Sequence, residues 1–220
     1  QSKELQTIID QCKALSTGPQ RAVIVFDLDG TLLDNRPRTV AILKEAADNW
    51  AAEHPEGVAA INSLDPSELG YLVTDALRER GVDEALVGEA LEVWKQRFFR
   101  DDTLVHDVPL SGAVEFACAC YAAGGNLAYF TGRDLPNMAL GSLASPRDRG
   151  VPVGVPGTEL VLEPDFETPD LDFKRAVTPA FERIGRVVAT FDNEPGNCNV
   201  FHEFFPEAAH YLLLTQHAPN

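Results

Sequence analysis

Polar residues stand at the end of three apolar runs in this sequence. Asp27 and Asp29 follow the run AVIVF, and Asp192 follows VVATF. Thr131 follows the run LAYF. Ligands of open parallel sheets bind just outside the carboxyl ends of the strands, so these side chains are expected to share one site. Lys174, near the start of a predicted helix between two of these strands, lies within reach of the same edge.

This set of side chains suits the binding of a phosphate ester together with a hard cation. Carboxylates without a thiol or imidazole partner favour Mg²⁺, which keeps several waters and uses a few protein oxygens plus substrate phosphate. A carboxylate can also attack phosphorus and form an acyl phosphate, once the charge of the phosphoryl group is neutralised. The cation and Lys174 would supply that neutralisation. The sequence therefore predicts a magnesium phosphate site.

Each of these residues also has a purely structural interpretation. The stretch DLDGT could be a glycine turn after a strand. Thr131 and Asp192 could cap helices, and Lys174 beside Arg175 could be a solvated helix residue. The order of the four segments along the chain favours a shared site over four unrelated roles.

Strands and helices alternate in the part of the chain that must hold this site. The run AVIVF is continuously apolar, as expected for a parallel strand covered on both faces. A helix is predicted over 2–15, and Gly- and Pro-rich sequence predicts a loop over 145–158. The remaining predictions are helices near 112–123, 135–143, 172–184 and 196–205, and strands over 126–131, 159–163, 186–192 and 210–215. This alternation predicts an α/β fold with a doubly wound parallel sheet.

Residues 36–107 have a different pattern, because helical periodicity continues there without a strand. Three helices are predicted, over 37–52, 65–81 and 83–98. Asp65 and Glu68 have the spacing of a capping box at the start of the second helix, which Gly81 ends. Asp83 is expected to cap the third. The sequence thus predicts a core of residues 1–35 and 108–220 with an all-helical insertion at 36–107.

The insertion also carries basic residues, which allow two interpretations. Arg36, Arg38, His106 and the segment WKQRFFR (94–100) could line the site and attract anions. Alternatively, these side chains extend over an apolar helix face toward water, which is the expectation for most of them. The five histidines lack the spacing of metal ligands.

Composition limits the partners of the chain. Its 220 residues include 18 Lys+Arg and 34 Asp+Glu, for a net charge of −16 that disfavours nucleic acid and anionic membranes as partners. There is neither an apolar run of membrane-spanning length nor a signal-peptide pattern at the start, so a soluble, cytoplasmic protein is expected. Cys12, Cys118, Cys120 and Cys198 lack metal-site spacing and are expected to be reduced. The oligomeric state stays open.

The segments DLDGT, TGR, a downstream lysine and FDNE, in this order, resemble the four motifs of the haloacid dehalogenase-like (HAD) phosphohydrolase superfamily. The resemblance extends over residues 23–215 and implies a Rossmann-like core. The helical insertion resembles the C1 type of cap, which closes over the site and helps to select the substrate. The resemblance implies that Asp27 is the nucleophile and Asp29 the general acid and base.

The same resemblance implies the other site residues. Phosphate binding falls to Asp27, Leu28, Thr131, Gly132 and Lys174, of which Thr131 and Lys174 also count as catalytic. Magnesium would be bound by Asp27, by the backbone carbonyl of Asp29 and by Asp192. The fourth motif usually carries a second acidic residue that this sequence lacks at the usual positions. Asn193 or Glu194 are the alternatives for that helper role.

The resemblance implies a magnesium-dependent phosphatase that hydrolyses a small phosphorylated metabolite through an aspartyl phosphate. A phosphomutase or other phosphotransferase on the same core is an alternative. Dehalogenation is disfavoured, because cleavage of a carbon–halogen bond needs neither the acid at Asp29 nor a metal. A non-catalytic protein that binds a phosphorylated ligand is a further alternative, supported by the irregular fourth motif.

Overall fold

The computed structural model describes residues 2–218 and has a parallel five-stranded sheet at its centre. The strands of the chain are β1 (Ala22–Phe26), β2 (Leu33–Asp34), β3 (Val108–Pro109), β4 (Asn126–Asp134), β5 (Thr158–Glu163), β6 (Arg186–Asp192) and β7 (Ala209–Leu212). The sheet has the order β5-β4-β1-β6-β7, with parallel neighbours throughout. β1 therefore lies where the strand order reverses, which is where sheets of this type bind ligands.

Helices surround this sheet and form the insertion. They are α1 (Ser2–Leu15), α2 (Arg36–Ala46), α3 (Pro55–Asn62), α4 (Val73–Glu79), α5 (Glu84–Phe98), α6 (Ala113–Ala122), α7 (Leu135–Asp148), α8 (Asp170–Val177) and α9 (Pro195–Phe204). Short 3₁₀ segments cover Ala47–Trp50, Pro66–Glu68, Asp101–His106 and Thr178–Arg183. Within residues 2–218, none of the helices combines the length and apolar character that a membrane span requires.

Side chains of β1 alternate between the two faces of the sheet, and helices cover both faces. Ile24 and Phe26 belong to a hydrophobic cluster with residues of α1 and α6. Val23 and Val25 belong to a second cluster, which includes phenylalanines of α8 and α9. This burial on both faces explains the continuously apolar strand sequence. It confirms the predicted doubly wound α/β fold.

The insertion has a hydrophobic cluster of its own, built from α2 to α5 and including Trp50, Ile61, Leu77 and Leu86. The chain enters the insertion after β2 and leaves it before β3. These two strands pair antiparallel, with Leu33 opposite Pro109. The pair was not predicted, because two residues are too short to show a period. It holds the two ends of the insertion side by side.

The helices of the insertion differ from the prediction in number and length. α3 was not predicted, and the predicted helix over 65–81 is divided into a 3₁₀ segment and α4. The capping box of Asp65 and Glu68 forms as expected but caps only that 3₁₀ segment. The backbone carbonyls of Leu69 and Gly70 accept hydrogen bonds from Gln216 Nε2 at 2.5 and 2.7 Å. A contact more than 140 residues away in the chain thus replaces the helical turn that local sequence favours.

Two differences between the predicted and observed helices of the core lie at prolines. α7 continues to Asp148, so the predicted loop over 145–158 begins later. Pro146 is tolerated because it lies in the last turn, where its missing N–H removes a single hydrogen bond. The predicted helix over 172–184 is α-helical only to Val177 and continues as a 3₁₀ segment that contains Pro179.

Candidate active site

The structure brings Asp27, Asp192 and Lys174 together at the carboxyl edge of the sheet. Lys174 Nζ lies 3.0 Å from Asp27 Oδ1 and 2.8 Å from Asp192 Oδ2. Asp27 follows β1 and Asp192 ends β6, its neighbour in the sheet, while α8 supplies the lysine. All three residues are buried. One ammonium group therefore contacts two carboxylates that come from adjacent strands.

The charged groups of this cluster shift one another's pKa values. Burial raises the pKa of the Asp27 carboxyl above its ordinary value, and Lys174 opposes that shift. Burial disfavours the charged form of Lys174, but Asp27 and Asp192 outweigh it and raise the pKa of the ammonium. Lys174 consequently stays a cation. Ionisation of both carboxylates around one cation would leave negative charge at the site, which a further positive ion would offset.

The donors at this edge fit magnesium. They are all oxygens: the carboxylates of Asp27 and Asp192 lie there, and the resemblance adds the backbone carbonyl of Asp29. Among residues 2–218, no group of three or more His, Cys, Asp or Glu side chains has the geometry of a metal site. Mg²⁺ commonly binds through one or two carboxylates, water and substrate phosphate, so a set with only two carboxylates is compatible with it.

Both candidate helpers of Asp192 contact the C-terminal segment of residues 215–218. Asn193 Nδ2 donates to the backbone carbonyl of Gln216. Glu194 Oε1 accepts a hydrogen bond of 2.9 Å from the backbone N–H of Ala218. Thr215 Oγ1 donates to the carbonyl of Gly30 in the loop after β1. The fourth motif is thus joined to the first through this segment.

Gly30 is required by the conformation of the loop that carries Asp29. Its φ is +74°, in the left-handed region. A Cβ atom on Gly30 would also lie 2.5 Å from Asn193 Nδ2, so a side chain would displace the fourth motif. The glycine of DLDGT therefore permits a close approach of two loops as well as a turn.

Four of the five predicted phosphate-binding residues line one cleft; they are Asp27, Thr131, Gly132 and Lys174. Thr131 is buried at the edge of the cleft, and its Oγ1 accepts a hydrogen bond from the backbone N–H of Arg133 at 3.3 Å. A Cβ atom on Gly132 would lie 2.8 Å from Asp170 Oδ1, so the glycine lets that carboxylate approach. The side chain of Leu28 is fully buried, which leaves only its backbone to contact a ligand.

Asp29 is held by three donors. Arg133 binds it in a bidentate way, with Nε 2.6 Å from Oδ2 and Nη2 2.9 Å from Oδ1. Arg38 Nη2 lies 2.6 Å from Oδ1, and Asn35 Nδ2 donates to the same atom at 3.2 Å. Burial favours a protonated Asp29, but Arg133 and Arg38 outweigh it and hold the pKa of this carboxyl well below its usual range. Asp29 is therefore an anion in this arrangement.

The two arginines also bind Asp107, which completes a network of four charged residues. Arg38 Nε lies 2.7 Å from Asp107 Oδ1, and Arg133 Nη2 lies 2.8 Å from Asp107 Oδ2. Arg38 and Asp107 are fully buried. The network, defined here as Asp29, Arg38, Asp107 and Arg133, joins the loop after β1, helix α2, the end of the insertion and β4.

The basic residues of the insertion do not form a lining of free cations. Arg38 was expected to extend over a helix face toward water and is instead buried in the network. Arg36 Nη2 lies 2.6 Å from Asp34 Oδ2. His106 Nε2 lies 3.5 Å from Glu45 Oε1. Sequence periodicity does not reveal these contacts with carboxylates, because they depend on where the side chains point.

A cleft of about 610 Å³ separates the sheet edge from the insertion. Asp27, Thr131 and Lys174 line its floor, and side chains of α5 and of the loop before α4 line it from the insertion. Its size is typical of a site for a small organic ligand. The candidate catalytic groups thus face a cleft large enough for a substrate.

The sequence matches a known protein family. Residues 22–155, more than half of the chain, match the family described as a haloacid dehalogenase-like hydrolase. The chain belongs to the haloacid dehalogenase-like hydrolase family. The resemblance inferred from DLDGT, TGR, the downstream lysine and FDNE is therefore confirmed.

Solved structures share the fold of this HAD-like hydrolase at low sequence identity. A hydrolase from Streptococcus pneumoniae TIGR4 is 15% identical, with 88% of this chain and 92% of that chain covered and a TM-score of 0.52. A class C acid phosphatase from Bacillus anthracis, with tungstate bound, is 13% identical over 97% and 80% of the two chains, with a TM-score of 0.50. Protein tyrosine kinase A from Mycobacterium tuberculosis is 16% identical over 92% and 88%, with a TM-score of 0.52. No curated protein matches the chain.

The HAD-like site contains polar residues that the sequence analysis did not assign. Arg133 directly follows the TG of the second motif, and that adjacency was a usable signal. Asp170 lies four residues before Lys174 on α8, with its Oδ1 3.8 Å from Lys174 Nζ. Asn197 Nδ2 donates to Asp170 Oδ2 at 2.9 Å and to Asp192 Oδ1 at 3.3 Å. Gln216 also lines the cleft, and no local pattern indicates it.

Proposed function

We propose that this HAD-like hydrolase is a magnesium-dependent phosphatase that hydrolyses a small phosphomonoester through an aspartyl phosphate on Asp27. The observation that carries the proposal is the buried contact of Lys174 with Asp27 and Asp192 at the floor of the cleft. A buried lysine with two acids adds little to stability, so these charges are expected to have a further use. An incoming phosphoryl group gives them that use.

In the first step, the Asp27 carboxylate attacks phosphorus, an oxygen–phosphorus bond forms, and the ester P–O bond breaks. In this proposal Lys174 neutralises the phosphoryl oxygens, and the Thr131 hydroxyl and the Gly132 amide donate hydrogen bonds to them. Mg²⁺, held by Asp27, Asp192 and the Asp29 carbonyl, would supply further neutralisation of phosphoryl charge. The alcohol leaves with a proton.

Asp29 accounts for the proton transfers in this proposal. As the anion held by Arg38 and Arg133, it is ready to take a proton from the water that cleaves the aspartyl phosphate and releases inorganic phosphate. In the first step it must instead donate a proton to the leaving oxygen. Protonation requires that a hydrogen bond from Arg38 or Arg133 be given up, because these cations stabilise the charged carboxylate.

The insertion is proposed as a cap that helps to choose the substrate, with residues 36–107 as its extent. Its own hydrophobic cluster and its adjacent ends at Leu33 and Pro109 support this division. We also propose a cytoplasmic location. The free state of Cys12, Cys118, Cys120 and Cys198 agrees with a reducing compartment.

The test is hydrolysis of a panel of phosphorylated metabolites with and without magnesium, by the wild type and by Asp27→Asn. We expect magnesium-dependent turnover in the wild type and a loss of at least about a thousandfold in the variant, because an amide cannot form the acyl phosphate. The thermal midpoint of Asp27→Asn should not fall, since burial already disfavours the charged carboxylate. Asp10→Asn, on the exposed face of α1, is the matched control.

Near wild-type turnover by Asp27→Asn would contradict the covalent mechanism. Binding of phosphorylated compounds without turnover in the wild type would instead identify a phospho-ligand-binding protein. Release of a new phosphate ester in place of inorganic phosphate would identify a phosphotransferase.

A further inference from the structure

The wall that the insertion gives to the cleft is aromatic. Trp94 and Phe98 lie in the last turns of α5, and Phe99 follows the helix. All three line the cleft and are half-buried. Their ring centroids are 4.5 Å apart for Trp94 and Phe98, and 5.1 Å apart for Phe98 and Phe99. These three residues are called the aromatic wall below.

The rings of the aromatic wall are held in place by contacts with neighbouring side chains. Trp94 Nε1 donates to Thr39 Oγ1 of α2 at 3.0 Å, which fixes the plane of the indole. The guanidinium of Arg38 lies 4.2 Å from the centroid of the Phe98 ring and occupies that face. Phe99 packs edge to face on Phe166, with centroids 5.0 Å apart. Trp94 and Phe99 therefore offer preorganised apolar surface to whatever enters the cleft.

The rest of the apolar lining is mostly aliphatic, with Tyr71 as a further aromatic residue. Leu72, Leu91 and Met138 also line the cleft. Leu72 is 47% exposed, although large apolar side chains are normally placed away from water. Exposed leucine and half-buried aromatic rings around one cleft indicate a ligand with an apolar body.

The charged residues of the cleft disfavour a second anionic group on the apolar part of the ligand. Every basic side chain that lines the described cleft already contacts a carboxylate; these pairs are Arg36–Asp34, Arg38–Asp29, Lys95–Glu92, Arg133–Asp29 and Lys174–Asp27. The carboxylates of Asp170 and Glu194 line the cleft in addition. A carboxylate or second phosphate beyond the reacting one would therefore have to compete with the carboxylates that already pair with these cations.

We propose that the substrate is the monophosphate ester of an uncharged aromatic alcohol, whose ring packs on Trp94 and Phe99 while its single phosphate reaches Asp27 and Lys174. This inference rests on the proposed phosphatase function and adds the chemical class of the leaving group. The aromatic wall and the aliphatic residues supply the surface for a flat ring. The paired basic residues limit the ester to one phosphate.

A quaternary ammonium group is the main competitor, because cations also bind over aromatic rings. Such groups are held by aromatic faces on several sides, whereas here Arg38 already covers one face of Phe98, and Leu72, Leu91 and Met138 lie among the aromatic residues of the lining. The mixture of aromatic and aliphatic surface favours the neutral ring.

The experiment compares kcat/KM for five phosphate esters with magnesium present. Benzyl phosphate, cyclohexylmethyl phosphate and ethyl phosphate are esters of primary alcohols, so they differ mainly in the body of the leaving group. Phosphocholine adds a cation and 3-phosphoglycerate adds an anion. We expect kcat/KM for benzyl phosphate to exceed that for ethyl phosphate by about tenfold or more. It should exceed that for cyclohexylmethyl phosphate by roughly threefold or more, because of the aromatic contact.

Substitutions in the aromatic wall give the second arm. Phe99→Leu should lower the ratio of kcat/KM between benzyl and ethyl phosphate by roughly three- to tenfold, because leucine keeps apolar volume and removes the ring. Trp94→Leu should do the same, and Trp94→Phe should restore most of the ratio. Phe204→Leu is the matched control, since Phe204 is also half-buried but packs in the core away from the cleft. It should leave the ratio unchanged.

Several results would overturn the inference. Equal rates for benzyl and cyclohexylmethyl phosphate would show an apolar site without aromatic preference. A preference for phosphocholine or 3-phosphoglycerate would contradict the charge argument, and a ratio that Phe99→Leu and Trp94→Leu leave unchanged would contradict the ring contact.

Failure of the phosphatase function is distinguished by binding measurements. Benzylphosphonate and ethylphosphonate cannot be hydrolysed, and calorimetry with both gives the preference without turnover. Tighter binding of benzylphosphonate without hydrolysis of any ester would reject the phosphatase and retain the ligand class. Equal binding of the two phosphonates would reject the ligand class, whatever the enzyme hydrolyses.

Discussion

Lys174 is the residue on which the acidic groups of the site depend. Its side chain is 1% exposed, and removing an ammonium group from water costs several kcal/mol unless partners compensate. Asp27, Asp192 and the more distant Asp170 provide that compensation. Because α8 places the lysine between the ends of β1 and β6, both carboxylates are held at the floor of the cleft before any ligand arrives.

Asp192 and its two neighbours are expected to differ in their effect on magnesium. Asp192→Ala should raise the magnesium concentration for half-maximal activity steeply, by tenfold or more, because it removes one of two carboxylates that fit the ion. Asn193→Ala and Glu194→Ala should raise it modestly, since both side chains contact residues 215–218. Titration of activity with magnesium in the three variants measures the difference.

Two results would change this assignment of the fourth motif. An unaltered magnesium requirement in Asp192→Ala would remove that residue from the metal site. A loss in Glu194→Ala as large as that in Asp192→Ala would identify Glu194 as the missing second acid, despite its contact with Ala218.

Glu163 makes stability depend on pH. It is 5% exposed, and within residues 2–218 its Oε1 lacks a hydrogen-bond partner. Burial, with Asp170 as the next contribution, raises the pKa of this carboxyl from 4.5 to about 7. A raised pKa in the folded state means that its stabilising contribution is complete below about pH 4.5 and is lost as the pH rises through about 7.

Glu163→Gln should therefore stabilise the protein at alkaline pH. We expect a gain in the free energy of unfolding of ~1–3 kcal/mol at about pH 8, since each unit of pKa shift corresponds to ~1.4 kcal/mol, and little gain near about pH 4.5. Urea unfolding at the two pH values measures it. Glu159→Gln, at an exposed position of the same strand, is the control. A gain that is the same at both pH values would contradict the titration of Glu163.

At the scale of elements, the buried network of four charged residues connects the insertion to the core. α2 contributes Arg38, the segment before β3 contributes Asp107, and the core contributes Asp29 and Arg133. Removing one member of such a network leaves an uncompensated buried charge, which is more costly than losing an exposed pair. The network therefore fixes the position of α2 over the sheet edge.

Arg38→Met tests this connection against Arg36→Met. The first should lower the free energy of unfolding by ~3–5 kcal/mol, because Asp29 and Asp107 lose a fully buried partner. The second should lower it by ~0–1 kcal/mol, because Arg36 is 32% exposed and pairs with a carboxylate two residues away, that of Asp34. Urea denaturation compares them. Similar small losses in both variants would show that the network does not anchor the insertion.

Local signals predicted some elements of the insertion and missed others. Asp83 caps α5 as expected, with Oδ1 accepting from the backbone N–H of Leu86. α3 escaped prediction because it has only 8 residues and contains Gly57, which lowers helix propensity. Val58 and Ile61 of α3 are buried in the cluster of the insertion. Tertiary packing rather than local preference thus stabilises this helix.

At the scale of the whole molecule, the sequence predicts the sheet and the meeting of the motif residues. Continuously apolar runs define the central strands, and the rule for parallel sheets places Asp27, Thr131 and Asp192 at one edge. The contacts that set the state of Asp29 were not predictable in this way. Arg133 lies 104 residues from Asp29 in the chain, and the sign of its effect depends on where both side chains point.

The C-terminal segment of residues 215–218 illustrates the same limit. Its polar side chains have no periodic pattern, yet Gln216 contacts the carbonyls of Leu69 and Gly70 in the insertion. Asn193 and Glu194 contact the same segment from the core. The prediction of metal helpers considered only the residues next to Asp192. The contacts with residues 215–218 compete with a metal for the side chains of Asn193 and Glu194.

The pairing of β2 with β3 bears on recombination between proteins of this fold. Because Leu33 and Pro109 lie opposite each other, an insertion of another length could join the sheet through the same two peptide junctions without moving β1 or β4. Arg38 and Asp107, however, lie inside those junctions, whereas Asp29 and Arg133 lie outside them. A chimera with a foreign insertion must therefore retain an arginine and an aspartate at these two places. Otherwise Asp29, the acid and base of the proposed reaction, would lose its alignment.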